Sequence, residues 1–120
     1  MKVYLAGRYE RRDELRGYAE RFQAIGVEIV SRWLWIDLGV TPEQAMMCLE
    51  DLNEVDTLIF FSEDSETSWP RGGRCVEYGI ALALGRRLLM VGPRENLFHE
   101  LLPDSSFFAS IDKLTRELMK

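Results

Sequence analysis

The apolar positions of the chain follow two patterns that alternate along its length. Short, almost continuous apolar runs indicate buried strands, and longer segments with apolar residues every three or four positions indicate amphipathic helices. Strands are predicted at 2–6, 27–31, 56–61, 86–92 and 107–110, and helices at 13–25, 42–54, 71–85 and from 111 onward. This order predicts one α/β domain over residues 1–120, with a doubly wound, flavodoxin- or Rossmann-like parallel sheet of four to five strands and helices on both faces.

The ends and faces of these helices can also be predicted. Gly26 and Gly85 follow the first and third helices, the usual place of a C-terminal glycine. Thr41 precedes Pro42 and stands three residues before Gln44, which is the capping pattern of a helix N-terminus. The apolar stripes expected to face the core are Ala45, Cys48, Leu49, Leu52 and Val55 in the second helix and Val76, Ile80, Ala83 and Leu84 in the third.

Ligands of open parallel sheets bind beyond the carboxyl ends of the strands. Four loops of this chain are predicted to lie there, at 7–12, 31–37, 62–73 and 92–96. They hold Arg8, Tyr9, Trp33, Trp35, Trp69, Arg71 and Arg94, and Arg74 follows the third loop directly. The predicted topology therefore gathers chemically distinctive residues on one edge of the sheet.

Charge narrows the class of ligand. The chain has 20 acidic and 15 basic residues and a formal net charge of −5. This balance argues against a nucleic-acid-binding protein, which would carry a basic stripe, but local arginines still allow a small phosphorylated ligand.

Cysteine spacing and chain hydropathy exclude several other classes. Cys48 and Cys75 lack CxxC spacing, and the chain has one histidine, His99, so the sequence predicts no bound metal. The two cysteines are predicted to be free thiols, and His99 to be structural or exposed. No organic cofactor is expected. The N-terminal apolar run is too short for a signal peptide, and no segment approaches the roughly 20 apolar residues that span a membrane. We therefore expect a soluble, cytoplasmic protein.

The segment "RGGRCVEYGIALALG", residues 71–85, begins a helix with two glycines between arginines. Helix N-termini attract anions, and Gly72 and Gly73 would expose their N–H groups to a phosphate or a sugar hydroxyl, with Arg74 beside them. Glu77 follows near the first turn, where the helix dipole would keep it ionised as a nucleophile for an anomeric carbon requires. The alternative is an ordinary ion pair between Glu77 and Arg74 on a solvated helix face.

Other candidates come from the loops and the second helix. Gly7 follows the first strand directly and allows close approach of a ligand, with Arg8 and Tyr9 next to it; the alternative is a solvated turn. Trp33 suits base stacking or plain loop packing. Asp51 flanks the apolar stripe of the second helix and is either an acid that protonates a leaving nitrogen or a surface carboxylate.

Three stretches together resemble the nucleoside 2-deoxyribosyltransferase family, and more narrowly its short phage and bacterial members. They are "VYLAG", "DLNEVDTLIFF" and "RGGRCVEYGIALALGRRLLMVGPRENLFHELLP". The resemblance covers nearly the whole chain and is strongest from Asp51 to Pro103. The superfamily includes 2′-deoxynucleoside 5′-phosphate N-hydrolases, in which water accepts the sugar.

The resemblance implies specific roles. The family's ExGxAL motif corresponds to Glu77-Tyr78-Gly79-Ile80-Ala81-Leu82, so Glu77 would attack C1′ of deoxyribose and form a glycosyl-enzyme. The residues after the first strand, Gly7, Arg8 and Tyr9, would line the nucleoside pocket. The family aspartate that assists at the base falls on Cys48, and Asp51 stands one helical turn later, so either Asp51 substitutes or the acid is lost.

The resemblance also implies a homo-oligomer, although no counterpart is evident in "TRELMK" for the C-terminal residue that transferases lend to a neighbouring subunit. We expect an enzyme that transfers or hydrolyses the N-glycosidic bond of 2′-deoxynucleosides or their 5′-monophosphates. The alternative, favoured by Cys48 at the aspartate register, is a non-catalytic module that binds a nucleotide or an ADP-ribose-like ligand. A third possibility is an oligomeric scaffold with a vestigial pocket.

Overall fold

A computed structural model describes residues 1–64 and 72–120 and contains a sheet of five parallel strands. The strands are β1 (Lys2–Ala6), β2 (Glu28–Ile29), β3 (Thr57–Phe61), β4 (Arg87–Val91) and β5 (Phe107–Phe108). The helices are α1 (Arg12–Ala24), α2 (Pro42–Glu54), α3 (Gly73–Ala83) and α4 (Ile111–Leu118). The prediction of an α/β parallel sheet with this order of elements is confirmed, although β2 and β5 are shorter than predicted.

The sheet order is β2-β1-β3-β4-β5. β1 pairs with β2 on one side and with β3 on the other, so the chain reverses its direction of winding at β1. Such a reversal opens a crevice at the carboxyl ends of the two central strands, where ligands bind in open α/β sheets. β1 and β3 are therefore the strands that position a site.

Helices cover both faces of the sheet. Phe61 of β3 stacks on Tyr18 of α1 with ring centroids 5.6 Å apart, and the preceding residue, Phe60, meets Tyr78 of α3 edge-on at 5.6 Å. Successive strand residues point to opposite faces, so α1 and α3 lie on opposite sides. Every residue of β3 is buried, as expected for a strand covered twice.

Several predicted helix ends are confirmed. Gly26 and Gly85 follow α1 and α3 with positive φ angles. The Thr41 hydroxyl accepts a hydrogen bond from the backbone N–H of Gln44 at 3.2 Å. Within the residues that the structure describes, no helix is both long enough and apolar enough to cross a membrane.

The predicted inward faces of α2 and α3 are wrong in part. In α3 the buried residues are Arg74, Tyr78 and Ala81, whereas Val76 is 63% exposed. Of the other predicted α3 residues, Ile80 is half-buried, and Ala83 and Leu84 are exposed. In α2 the buried residues are Met47, Asp51 and Leu52. The predicted α2 residues Ala45 and Leu49 are exposed. α3 has apolar residues around most of its circumference, so periodicity alone does not fix its rotation.

Candidate active site

A cavity of about 990 Å³ opens at the carboxyl end of β1. The loops after β1 and β2, one side of α2 and the first half of α3 form its walls. Its lining includes all but one of the residues predicted for a site, namely Gly7, Arg8, Tyr9, Trp33, Gly72, Gly73, Arg74 and Glu77, and the exception is Asp51. The fold thus brings these residues to one place, and their binding of a substrate stays a prediction.

Glu77 is joined to the sheet by Tyr4, a residue that the sequence analysis missed. Tyr4 is fully buried on β1, and its hydroxyl donates a hydrogen bond to Oε2 of Glu77. The signal in the sequence was a single phenol within the apolar run "VYLAG". A buried hydroxyl needs a partner, and the carboxylate of Glu77 supplies it across 73 positions of sequence.

The ionisation of Glu77 differs from the expectation. Burial raises the pKa of the Glu77 carboxyl to about 8, because taking a charge out of water favours the neutral form. α3 begins at Gly73, so Glu77 lies past the first turn, where the influence of the helix dipole has largely faded. The expectation that the dipole keeps Glu77 ionised is therefore wrong, and at neutral pH the carboxyl is mostly protonated.

Arg74 forms a buried ion pair with Glu95. Its Nη1 and Nη2 donate to Oε2 and Oε1 of Glu95 at 2.6 and 2.8 Å. Both side chains are buried, with 4% and 5% of their surface exposed. The structure thus pairs Arg74 with Glu95 and Glu77 with Tyr4, in place of the pair between Arg74 and Glu77 that was the alternative.

Gly72 and Gly7 are glycines for different structural reasons. Gly72 has a φ of +67°, a left-handed conformation that precedes α3, and a Cβ there would meet nothing within 4 Å. A Cβ on Gly7 would lie 2.8 Å from Cδ2 of Leu15. A side chain on Gly7 would therefore displace the buried Leu15 side chain of α1, so packing favours glycine at this position, which also lines the cavity.

The loop after β2 closes one side of the cavity. Trp33 is buried, and its Nε1 donates to the backbone oxygen of Leu5 at 2.8 Å, which fixes the indole against β1. The Tyr9 hydroxyl donates to Oδ2 of Asp37 at 2.5 Å. This bond raises the pKa of the Tyr9 hydroxyl and lowers that of the Asp37 carboxyl, so Asp37, which the sequence analysis did not single out, is an ionised group at the cavity wall.

Asp51 lies outside the cavity lining. Its Oδ2 accepts from the backbone N–H of Arg32 at 2.9 Å, and its Oδ1 accepts from Nε of Arg32 at 2.8 Å. The wall of α2 at this point is formed by Cys48, a half-buried free thiol whose pKa is raised by burial. The leaving-group role of Asp51 stays a prediction, and this placement does not support it.

The remaining predicted residues lie elsewhere. Trp35 is exposed, and the Arg94 guanidinium stacks 3.8 Å from the Phe107 ring centroid, at a separate hollow beside β5. Trp69 and Arg71 lie outside the described residues. Among the described residues, no group of three or more metal-ligating side chains comes together.

Solved structures share this fold at low sequence identity. A 2-deoxyribosyltransferase from Bacillus psychrosaccharolyticus superposes with a TM-score of 0.67 and 18% identity over 96% of this chain and 90% of its own. The chain has the fold of this enzyme. A CMP N-glycosidase from Clostridium botulinum matches with a TM-score of 0.62 and 18% identity over 98% of both chains. A 2-deoxyribosyltransferase from Leishmania mexicana matches with a TM-score of 0.58 and 18% identity over 88% of this chain and 75% of its own.

The sequence itself gives no such match. No protein-family model matches the chain, and no curated protein matches it either. The structural matches confirm the fold that the resemblance implied.

Proposed function

We propose that the protein is an enzyme that cleaves or transfers the N-glycosidic bond of a nucleoside or nucleotide, with Glu77 as its nucleophile. The observation that carries the proposal is the carboxyl of Glu77 in the cavity at the end of β1, held by the hydroxyl of Tyr4. Structures of the same fold include a 2-deoxyribosyltransferase and a CMP N-glycosidase. Both names describe chemistry at a sugar–base bond.

The proposed reaction has two steps. Ionised Glu77 attacks C1′ through an oxocarbenium-like transition state, as in retaining glycosidases. The C1′–N bond breaks, and its electron pair and a proton from solvent leave with the base, so the enzyme holds a deoxyribosyl ester. A second base or a water molecule then attacks C1′ and loses a proton to solvent, the ester bond to Glu77 breaks, and Glu77 is released as a carboxylate. The Tyr4 hydroxyl stabilises the carboxylate before attack and after release.

The substrate is proposed to be a 2′-deoxynucleoside or its 5′-monophosphate. Arg8 lines the cavity beside the N-terminus of α3, and helix N-termini favour phosphate. Arg74 was expected to share this role, but its terminal nitrogens bond to Glu95. Arg8 is therefore the better supported phosphate ligand.

The test is chromatographic measurement of free base released from deoxynucleosides and their 5′-monophosphates, with and without a second base. Glu77→Gln should lose at least about a thousandfold in rate while keeping ligand affinity, because the amide cannot act as the nucleophile. Glu54→Gln, an exposed glutamate at the end of α2, is the matched control and should keep its rate. Mass spectrometry of the quenched wild type should show one added deoxyribosyl group.

A non-catalytic binding module is the second candidate. It is favoured by the thiol of Cys48 in the cavity wall and by the pairing of Asp51 with Arg32, which together leave the expected leaving-group acid out of the cavity. In that case wild type releases no base from any substrate, and a nucleotide still raises the melting temperature. No thermal shift with any nucleotide would instead favour a scaffold.

We also propose a homo-oligomer that acts in the cytoplasm. The rim of the cavity carries exposed apolar side chains on α2, on α3 and on the loop before α2. They include Val40, which is 99% exposed, and Val76, which is 63% exposed. Light scattering coupled to size exclusion would measure the mass, and Val76→Lys should lower it if this face forms the contact. The half-buried free thiols of Cys48 and Cys75 suit a reducing compartment.

A further inference from the structure

The buried carboxylate of Glu95 joins the segments that follow two strands to the first turn of α3. Besides both terminal nitrogens of Arg74, Oε2 of Glu95 accepts the backbone N–H of Glu63 at 2.9 Å. Glu95 follows β4, Glu63 follows β3 and Arg74 is in the first turn of α3. One carboxylate therefore ties the ends of two strands to the beginning of the helix that carries Glu77.

The link to Glu77 runs through Arg74. α3 is preceded by Gly72, which has no side chain to cap the helix, so the place of its first turn depends on other contacts. Arg74 stands three residues before Glu77, almost one turn away along the same helix. Its guanidinium is held by a two-point contact with Glu95 and also lies over the Phe60 ring at 5.2 Å. A two-point contact fixes orientation as well as distance.

The link to the loop after β1 runs through Glu63. Its Oε2 accepts from Nη1 of Arg11 at 2.6 Å, and its Oε1 lies 3.8 Å from Nη1 of Arg8. Arg8 lines the same cavity as the first half of α3. A continuous set of contacts thus runs from Arg74 of α3 through Glu95 and Glu63 to the arginines of the loop after β1.

Glu95 is itself held in place by His99. The backbone N–H of Glu95 donates to Nδ1 of His99 at 2.9 Å. His99 is fully buried, with its ring packed edge-on against Phe60 and Tyr78 at 5.0 and 4.8 Å. The histidine that the sequence predicted to be structural or exposed is structural, and it fixes the segment that carries Glu95.

We propose that Glu95 is a positioning residue of the active site, which sets the place of Glu77 relative to Tyr4 by holding Arg74 at the start of α3. This inference rests on the proposed function, in which Glu77 is the nucleophile. A displacement of a reacting group by about 1 Å costs on the order of a hundredfold in rate. The position of the Glu95 carboxylate, and not merely its charge, is then required for turnover.

The test keeps every charge and changes only geometry. Glu95→Asp shortens the side chain, so one carboxylate no longer reaches both Arg74 and the Glu63 N–H. We expect kcat for base release to fall by about tenfold or more, with KM within about threefold because the cavity lining is retained. Glu100→Asp, the same substitution at an exposed glutamate of the following 3₁₀ turn, should keep wild-type kcat and KM.

Arg74→Lys is the second variant and carries the test if Glu95→Asp does not fold. It keeps the charge but removes the two-point contact, so kcat should fall in the same way. Folding is checked by circular dichroism at the assay temperature. The proposal is overturned if either folded variant keeps kcat within about twofold of wild type. It is also overturned if Glu100→Asp lowers kcat as much as Glu95→Asp does.

A readout without turnover separates this inference from the proposed function. Carbon-13 NMR of labelled glutamate carboxyls, with Glu77 assigned by Glu77→Gln, reports the titration of Glu77 directly. Glu95→Asp should move the apparent pKa of Glu77, because its distance from Tyr4 changes, and Glu100→Asp should leave it in place. If wild type shows no turnover but the titration moves, the proposed function fails and the positioning role stands. If the titration does not move, the positioning role fails.

Discussion

Tyr4, in the middle of the first strand, is hydrogen-bonded to Glu77, although 73 positions separate them in the chain. Tyr4 is fully buried in β1, and Glu77 belongs to α3, which packs against β1. The phenol donates to a carboxyl whose pKa burial raises to about 8. The pair therefore combines an acid that is hard to ionise with a donor that favours its ionised form.

Tyr4→Phe should slow base release at neutral pH by about tenfold. The substitution removes the donor that favours ionised Glu77, so the pKa of Glu77 should rise further and the ascending limb of the kcat/KM profile should move to higher pH. The measurement is kcat/KM for base release between pH 5 and 10. For wild type the same profile should rise toward a pH of about 8.

Tyr18→Phe is the matched control. Its hydroxyl also donates to a glutamate, Glu14, at 2.6 Å, but neither residue lines the cavity. That variant should keep the wild-type profile. A Tyr4→Phe profile that superposes on wild type would show that the phenol does not influence the reacting carboxyl.

Glu77→Gln should gain stability relative to wild type as the pH rises. The pKa of Glu77 in the folded protein, about 8, is raised above its ordinary value of 4.5. The stability that protonated Glu77 contributes to the wild-type protein is therefore fully present below pH 4.5 and is lost as the pH rises through 8. The amide has no charge to bury. We expect the difference in unfolding free energy to shift in favour of the variant by up to about 5 kcal/mol between pH 4 and 9, measured by denaturant unfolding.

Glu14→Gln should show the opposite sign. The hydrogen bond from Arg11 lowers the pKa of Glu14 to about 2. The stability that ionised Glu14 contributes to the folded protein is therefore present above pH 4.5 and is lost as the pH falls through 2. This variant should therefore lose stability relative to wild type as the pH rises through that window. The same sign in both variants would mean that the burial of Glu77 does not govern its titration.

Gly72→Ala should cost about 1 kcal/mol of unfolding free energy, because φ of +67° is strained for a residue with a side chain. A Cβ there has open space around it, so the cost is conformational rather than steric. Gly73→Ala is the control, since Gly73 is the first residue of α3 and its Cβ would also meet nothing. It should be neutral or stabilising, and equal losses in thermal or denaturant unfolding would contradict this account.

Asp51→Asn should lower stability by about 1–3 kcal/mol with little change in the rate of base release. The buried carboxylate accepts two hydrogen bonds from Arg32 and so fastens the loop after β2 to α2. Glu50→Gln, which alters an exposed partner of the same arginine, is the stability control and should have a smaller effect. A loss of a hundredfold or so in rate would instead assign Asp51 the acid role that the resemblance implied.

The sequence predicted the fold well because the relevant signals are local. Thr41 and Gly85 mark helix ends through contacts within a few residues, and the apolar run of β3 marks a strand covered on both faces. The orientation of the helices was less predictable. Val76 is exposed and Arg74 is buried, because an arginine is buried only when a distant partner, here Glu95, neutralises it.

The sequence by itself determined the kinds of elements, their order and the edge of the sheet where a site forms, because periodicity, caps and the handedness of crossovers depend on neighbours in the chain. Only the tertiary structure decided which groups meet there. The bond of Tyr4 to Glu77, the pair of Arg74 with Glu95 and the turn of Asp51 toward Arg32 each depend on how a helix is rotated against the sheet. That rotation is set by packing among residues far apart in sequence, and it also determines the desolvation that raises the pKa of Glu77.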